Sequence, residues 1–411
     1  MILKRITSIA LLTLISLYLA ACGGTSAVVS SSTAPTTQFG ISLEPSPNNE
    51  GWSEQYTGVR LDVVVPLFDP NIPSDPDDYE EEGIWPELRR TEAIRFAVSL
   101  SDEIKATNAF NSVRVTPDVS VSGDLFVSGK ILESNGEDIR IEVQVHDIRG
   151  NRWMKRTYKH RVKEYHWQSS RTSATDPYNP VFKKAAADIL KLLKKKSSEE
   201  LADIRATSQL QFAATLSPDA FAQHLEVKNN RLKLVSLPAV NDPLLVRANG
   251  MRVQDAIFMD DMQKHYTGFV GTTNASYINW QQHSMEAAKA QREAEGRANA
   301  QAIGGFLLLL GAAAIADNNR DDTGAALAAT AVAVGGISML QNSFAANSES
   351  KYHHDILVEH GESFNREVEP KVILVEGQKF EIRGSVVTQY QKWRETLKLL
   401  HEHESPPPVQ L

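Results

Sequence analysis

The sequence predicts an α+β protein: a mixed-sheet α/β domain, then a mainly helical region with an Ala/Gly-rich helical hairpin, and a small C-terminal β-hairpin. Three observations carry this expectation. Ile139, Ile141, Val143 and Val145 alternate with Arg140, Glu142, Gln144 and His146, the period of two expected of a strand with one buried face. Ala93, Ala97, Leu100 and Ile104, with Phe96 beside them, fall on one face of a helix. Two charge-free runs, 298–316 and 323–348, flank a polar turn at 317–322. With 411 residues, 42% apolar and 23% charged, the chain has room for two or three globular domains. Its net charge of −8 argues against a general nucleic-acid binder.

The chain starts with Lys4 and Arg5, an apolar core at 6–18, and the tetrapeptide Leu19-Ala20-Ala21-Cys22. A short apolar core with this flank is expected to be a cleaved signal peptide, residues 1–21. The ending resembles the lipobox of bacterial lipoproteins. That resemblance implies a diacylglyceryl group on the Cys22 thiol, cleavage before Cys22, and acylation (a palmitate-type modification) of the new terminus. Cys22 is the one cysteine of the chain, so no internal disulfide competes for it. Gly23 follows, and by resemblance to lipoprotein sorting it favours the outer membrane, with the protein facing the periplasm. Residues 22–55, rich in Ser, Thr, Pro, Gly and Asn, form the lipidated terminus and a flexible tether.

The α/β domain is assigned to 56–196. A strand at 59–68 is apolar at Val59, Leu61, Val63, Val64, Val65 and Leu67, suiting burial on both faces. The acidic loop 69–82 lacks the glycine-centred calcium spacing and is expected to be solvated. A helix follows from Pro86 to about Thr107, its Arg89, Arg90, Glu92 and Asp102 expected away from the buried face. Strands are expected at 112–116, 124–133, 138–146 and 152–162, with turns at Asn135-Gly136 and Arg149-Gly150-Asn151. A last helix, 181–196, buries Phe182, Ala185, Ile189, Leu192 and Leu193, and ends in three lysines, favourable at a helix C-terminus. The order β-α-β-β-β-α, with the segments 124–131 and 145–153, resembles the N-terminal domain of periplasmic TolB. It is also similar to the core of curli-secretion lipoproteins and penicillin-binding-protein activators. The resemblance covers about 59–196 and implies a structural or regulatory envelope protein. Tyr158, Tyr165 and Trp167 beside Lys155, Arg156, Lys159 and Arg161 mark a packed or partner-facing strand more than a nucleic-acid site.

The helical region 197–299 opens with helices at 199–216 and 218–227, then an irregular stretch holding a short strand at 232–237. From 242 to 302 the sequence is helix-compatible, with Gly250, Gly268 and Gly271 as candidate breaks and Val253, Ile257, Met262 and Tyr266 as one buried face. Residues 285–299, nearly all Ala, Glu, Lys, Arg and Gln, read as solvent-facing helix. The hairpin, 300–348, offers Gly304, Gly305, Gly311, Ala312, Gly324, Ala328, Gly335 and Gly336 as close-packing positions, because small residues four apart share a helix face. A helix over 349–368, a β-hairpin at 371–375 and 379–383, and a helix over 386–403 complete the unit 349–404, before a tail at 405–411. Tyr277 with Trp280, and Tyr390 with Trp393, form two aromatic pairs expected to approach each other.

For chemistry the chain offers little. His353-His354 and Glu359-His360 miss the zinc-peptidase spacings, and no phosphate loop, serine elbow or cysteine nucleophile is present. No catalytic residue, metal site or cofactor is assigned. The expected function is a non-enzymatic envelope lipoprotein, a structural or accessory component of an assembly. Its expected partners are the membrane through Cys22, other envelope proteins, and further copies of the chain in a homo-oligomer, but not nucleic acid. The alternative is a membrane-inserted, pore-forming lipoprotein using 300–348; its first arm, about 22 Å long, is short against a hydrocarbon core of about 30 Å.

Overall fold

The computed structural model describes residues 56–81, 84–169, 171–239, 241–312, 355–357, 359, 368–375 and 378–404. Cys22, the tether and the hairpin beyond Ala312 lie outside them, including Gly324, Ala328, Gly335 and Gly336. The described residues lie in one compact unit, and the fold is α+β.

Five strands make its sheet: β1 (Asp62–Pro66), β2 (Ser112–Thr116), β3 (Leu125–Ser134), β4 (Asp138–Asp147) and β5 (Arg152–Arg161). Their spatial order is β2-β1-β3-β4-β5; β1 pairs parallel with β2 and β3, while β3, β4 and β5 are antiparallel. Leu61, Val63, Val64 and Val65 are all buried, the two-sided burial expected of a central strand. A one-turn helix, α1 (Asp78–Glu81), sits in the acidic loop. The helix α2 (Pro86–Ala106) crosses one face of the sheet. After a second one-turn helix, α3 (Tyr165–Gln168), the helix α4 (Asn179–Leu193) packs beside α2. Phe96 of α2 centres their joint core, its ring 5.3 Å from Phe182, 6.1 Å from Tyr178 and 6.2 Å from Phe68.

Ser197 caps α5 (Ser198–Leu216) by accepting from the Glu200 amide at 3.1 Å, the Ser-x-x-Glu capping arrangement. The next expected helix, 218–227, is cut short. α6 (Pro218–Phe221) and a 3-10 turn give way to a small hairpin, β6 (Leu225–Lys228) and β7 (Arg231–Leu234). Asn229 and Asn230, both at positive φ, form its turn. The expected short strand is therefore β7, three residues shorter at its end.

The largest departure is α7, one unbroken helix Pro243–Ala312 of 70 residues, about 105 Å long. Asp242 caps it, its carboxylate accepting from the Leu244 and Leu245 amides at 2.9 and 3.1 Å. Gly250, Gly268 and Gly271 do not break it. All three face solvent with open space around them, and tertiary contact on the opposite face outweighs the roughly 1 kcal/mol that each glycine costs a helix. The buried face also differs from expectation. Met262 and Tyr266 are buried, but Val253 and Ile257 are 39% and 47% exposed. The buried stripe runs Met251, Asp255, Phe258, Met262, Tyr266, Phe269, Thr273, Tyr277, Trp280 and Ser284. Its 4-3-4 spacing repeats every eleven residues, so a nearly straight helix keeps one face on the body. Met285 is buried as well, so the solvent-facing segment starts later than expected.

At the C-terminal side, residue 368 opens a strand and does not continue a helix. β8 (Val368–Val375) pairs antiparallel with β9 (Gln378–Gly384). Then α8 (Val386–Glu404) docks on α7 with Val386, Tyr390, Trp393, Leu397 and Leu400 buried, as its periodicity predicts. Trp393 stacks on Phe258 at 5.1 Å, and Tyr390 lies 6.4 Å from the same ring. Tyr277 stacks instead on Trp280 at 5.5 Å, about 28 Å further along α7. The two aromatic pairs thus do not meet: Tyr390 and Trp393 pack at Phe258, and Tyr277 and Trp280 stack on each other.

Candidate functional site: the polar seam beneath the long helix

α2 was expected to keep its charges outside. Glu92 is fully buried, and Arg89 and Arg95 are nearly so, because α7 covers the face of α2 turned away from the sheet. Glu92 is the centre of this seam. Its Oε1 accepts from the Tyr277 hydroxyl of α7 at 3.0 Å and from the Ser134 hydroxyl at the end of β3. Its Oε2 faces Arg89 Nη1 at 3.9 Å, and among the described residues neither atom has a hydrogen-bond partner. Burial pushes the Glu92 carboxyl up to about 7, against the opposing pull of Arg89, Ser134 and Tyr277.

Arg95 binds α7 directly. Its guanidinium donates to the Val270 carbonyl and the Thr273 hydroxyl, both at 3.2 Å, and to the Asn274 side chain at 3.0 Å. It also lies 4.1 Å from the Tyr277 ring centroid. Asp176, ahead of α4, approaches Arg95 at 4.0 Å and accepts from Gln281 of α7 at 3.0 Å. The Gly136 amide donates to the Tyr178 hydroxyl at 2.8 Å. Gly136 itself is irreplaceable for two reasons. It sits at φ +87°, and a Cβ there would lie 2.6 Å from the Met285 backbone nitrogen of α7. Beyond it, Arg292 pairs with Glu137 at 2.8 Å, and Lys289 pairs with Glu164.

A second polar cluster fixes the other end of α7. Arg252 reaches both Asp62 and Asp124 at 3.4 Å; Asp124 is fully buried and receives the Asp62 amide at 2.8 Å. Arg114 grips Asp260 through two hydrogen bonds of 2.6 and 3.0 Å. Gln263 donates to the Val115 carbonyl at 2.9 Å and accepts from the Val115 amide at 2.8 Å, closing the free edge of β2 as a neighbouring strand would. Asp255, buried and with its pKa raised by desolvation, accepts from the Trp393 indole of α8 at 3.1 Å.

This arrangement holds α7 against the sheet, α2 and α8. The groove lined by Ser120, Tyr390, Gln391, Arg394 and Glu395 is shallow and open, and Glu92 is not among its walls. Among the described residues no group of three or more His, Cys, Asp or Glu side chains is placed to hold a metal ion. Of the close-packing positions expected in the hairpin, Gly304, Gly305, Gly311 and Ala312 belong to the last turns of α7. The seam residues went unread in the sequence because charged side chains on a helix ordinarily face water. The one available signal was that Asp255, Thr273, Gln281 and Ser284 share the phase of the apolar residues around them. No family model, curated protein or solved structure matches this chain.

Proposed function

We propose that the chain is a lipid-anchored, non-catalytic component of the bacterial cell envelope, structural or accessory to a larger assembly. The observation that carries this reading is the docking of α7. Ion pairs, side-chain hydrogen bonds and a buried stripe repeating every eleven residues hold it to the body from Arg252 to Arg292. The same helix then continues to Ala312, about 30 Å further, and carries the start of the Ala/Gly-rich run. The body is a mount and α7 a spacer that presents this run to copies of itself or to other envelope proteins. The sheet order and its two covering helices support kinship of 56–196 with TolB-type N-terminal domains, and the Leu19–Cys22 motif supports the anchor.

Mass spectrometry of the membrane-extracted protein tests the anchor: an acylated N-terminal Cys22 is expected, and an unmodified thiol overturns it. Fractionation of a Cys22→Ala chain tests the rest. Release by carbonate supports a rod outside the bilayer, whereas retention overturns that reading in favour of an inserted hairpin.

A further inference from the structure

We propose that the surface formed by α4 and the outer edge of β5 docks on an anionic phospholipid surface, as a second membrane contact beside the lipid anchor. Charge segregation is the first observation. Residues 151–196 hold thirteen Lys and Arg against three Asp and Glu, in a chain whose net charge is −8.

The fold places much of this excess on α4 and along β5, with Arg156 toward α4 and Lys155 and Lys159 on the other side of the sheet. α4 runs antiparallel to β5, tied near its middle by Arg156 to Asp188 at 2.5 Å. At one end the Tyr178 hydroxyl reaches the Asp138 carbonyl at 3.5 Å; at the other, Lys196 lies 4.9 Å from the Trp153 ring centroid. Lys183, Lys184, Lys191, Lys194 and Lys195 of this helix region are exposed, as are Arg152, Arg156 and Lys159 of β5.

Ordinary structural roles account for part of this set. Lys194 and Lys195 follow the C-terminus of α4, where cations offset the helix dipole. Basic side chains along an edge strand deter pairing with other chains. Neither role covers Lys183 and Lys184, which stand toward the N-terminal end of α4, where the dipole favours anions; its first turn holds no acid. Asp188 and Glu103 face the α4 side of the patch, and Glu142 and Asp138 pair with Lys155 and Arg161 of β5; the thirteen basic residues of 151–196 outnumber these acids.

Membrane phosphates are favoured over other polyanions by proximity. The inference rests on the proposed acylation of Cys22, since a flexible tether from Cys22 would have a root-mean-square reach of roughly 30 Å. Dispersed single cations near an anionic surface add their attractions, with no pocket required.

The test uses the chain from residue 22 onward carrying Cys22→Ser, so that no acyl chain contributes and its outcome is separate from that of the anchor. Its compact unit lies wholly within this span. The protein should sediment with phosphatidylglycerol vesicles, not with phosphatidylcholine vesicles, and added salt should release it. The triple variant Lys183→Glu/Lys184→Glu/Lys191→Glu should weaken this binding about tenfold or more, while Lys264→Glu on α7 leaves it unchanged. If the triple variant does not fold by circular dichroism, the corresponding glutamine substitutions test the same surface with a smaller loss. Equal binding to both vesicle types, or undiminished binding by the folded variants, overturns the proposal. So does binding to a single-stranded oligonucleotide without binding to vesicles.

Discussion

The two edges of the five-stranded sheet are handled in opposite ways. An unpaired strand edge invites pairing with other chains unless it is covered or charged. At β2, α7 covers the edge, and Gln263 satisfies both backbone groups of Val115. At β5, among the described residues, no strand pairs with the outer edge, and all of its exposed positions except Thr157 are basic. A covered edge fixes one geometry, because buried polar groups need their partners at set positions. A charged edge fixes no partner geometry and leaves a surface open to binding. The difference teaches where this molecule is rigid and where it is available.

Substitutions can break that contrast, and the largest effect is expected on the covered side. Arg252→Met leaves Asp124 buried beside Asp62 without its ion-pair partner, Arg114 still acting on Asp62. Removing one member of such a cluster should cost about 3 kcal/mol, measured by denaturant unfolding. A loss below about 1 kcal/mol would mean the cluster contributes little to holding α7.

Nearly as large is the pH dependence of the seam. Arg89 and Arg95 from α2, Asp176 ahead of α4, Tyr178 at its start, Ser134 from β3 and Tyr277 from α7 all face Glu92. Its folded pKa of about 7 stands above the ordinary 4.5. Between those values the folded state holds a proton that the unfolded state has released. The stabilisation is therefore complete below pH 4.5 and is lost as pH rises through about 7, at up to about 1.4 kcal/mol per unit. Glu92→Gln should flatten the stability profile across this window. An identical slope in both proteins would assign the titration to another group.

A smaller effect sharpens the comparison at the edge itself. Gln263→Ala removes two hydrogen bonds from β2 and should cost about 1–2 kcal/mol, with faster hydrogen exchange at the Val115 amide. Unchanged exchange there would show that α7 shields β2 without Gln263. The smallest effect belongs to β5. Lys159→Ala should shift stability by less than about 0.5 kcal/mol while increasing concentration-dependent aggregation. A large loss of stability would place that edge within the core.

Much of the sheet was legible because its signals are local. The strand 112–116 falls where expected, and β3, β4 and β5 begin or end within one residue of their expected bounds. Period-two alternation and the turn glycines Gly136 and Gly150, both at positive φ, need only neighbouring residues to be read. The amphipathic stripe of α8 was equally plain, because its apolar residues recur at helical spacing on one buried face.

What tertiary structure alone decided is the fate of residues facing a distant segment. Glu92 and Tyr277 are 185 positions apart, and nothing near Glu92 announces that a helix will cover it. Val253 and Ile257 are apolar yet exposed, while Asp255 between them is buried. The sequence by itself determined which segments could be strands and helices, through periodicity and turn chemistry. The body to which α7 attaches determined which face of it went inside. A helix with charged partners waiting in Arg95, Asp62 and Asp124 turns toward hydrogen bonds as well as toward apolar surface, and composition alone cannot reveal where those partners lie.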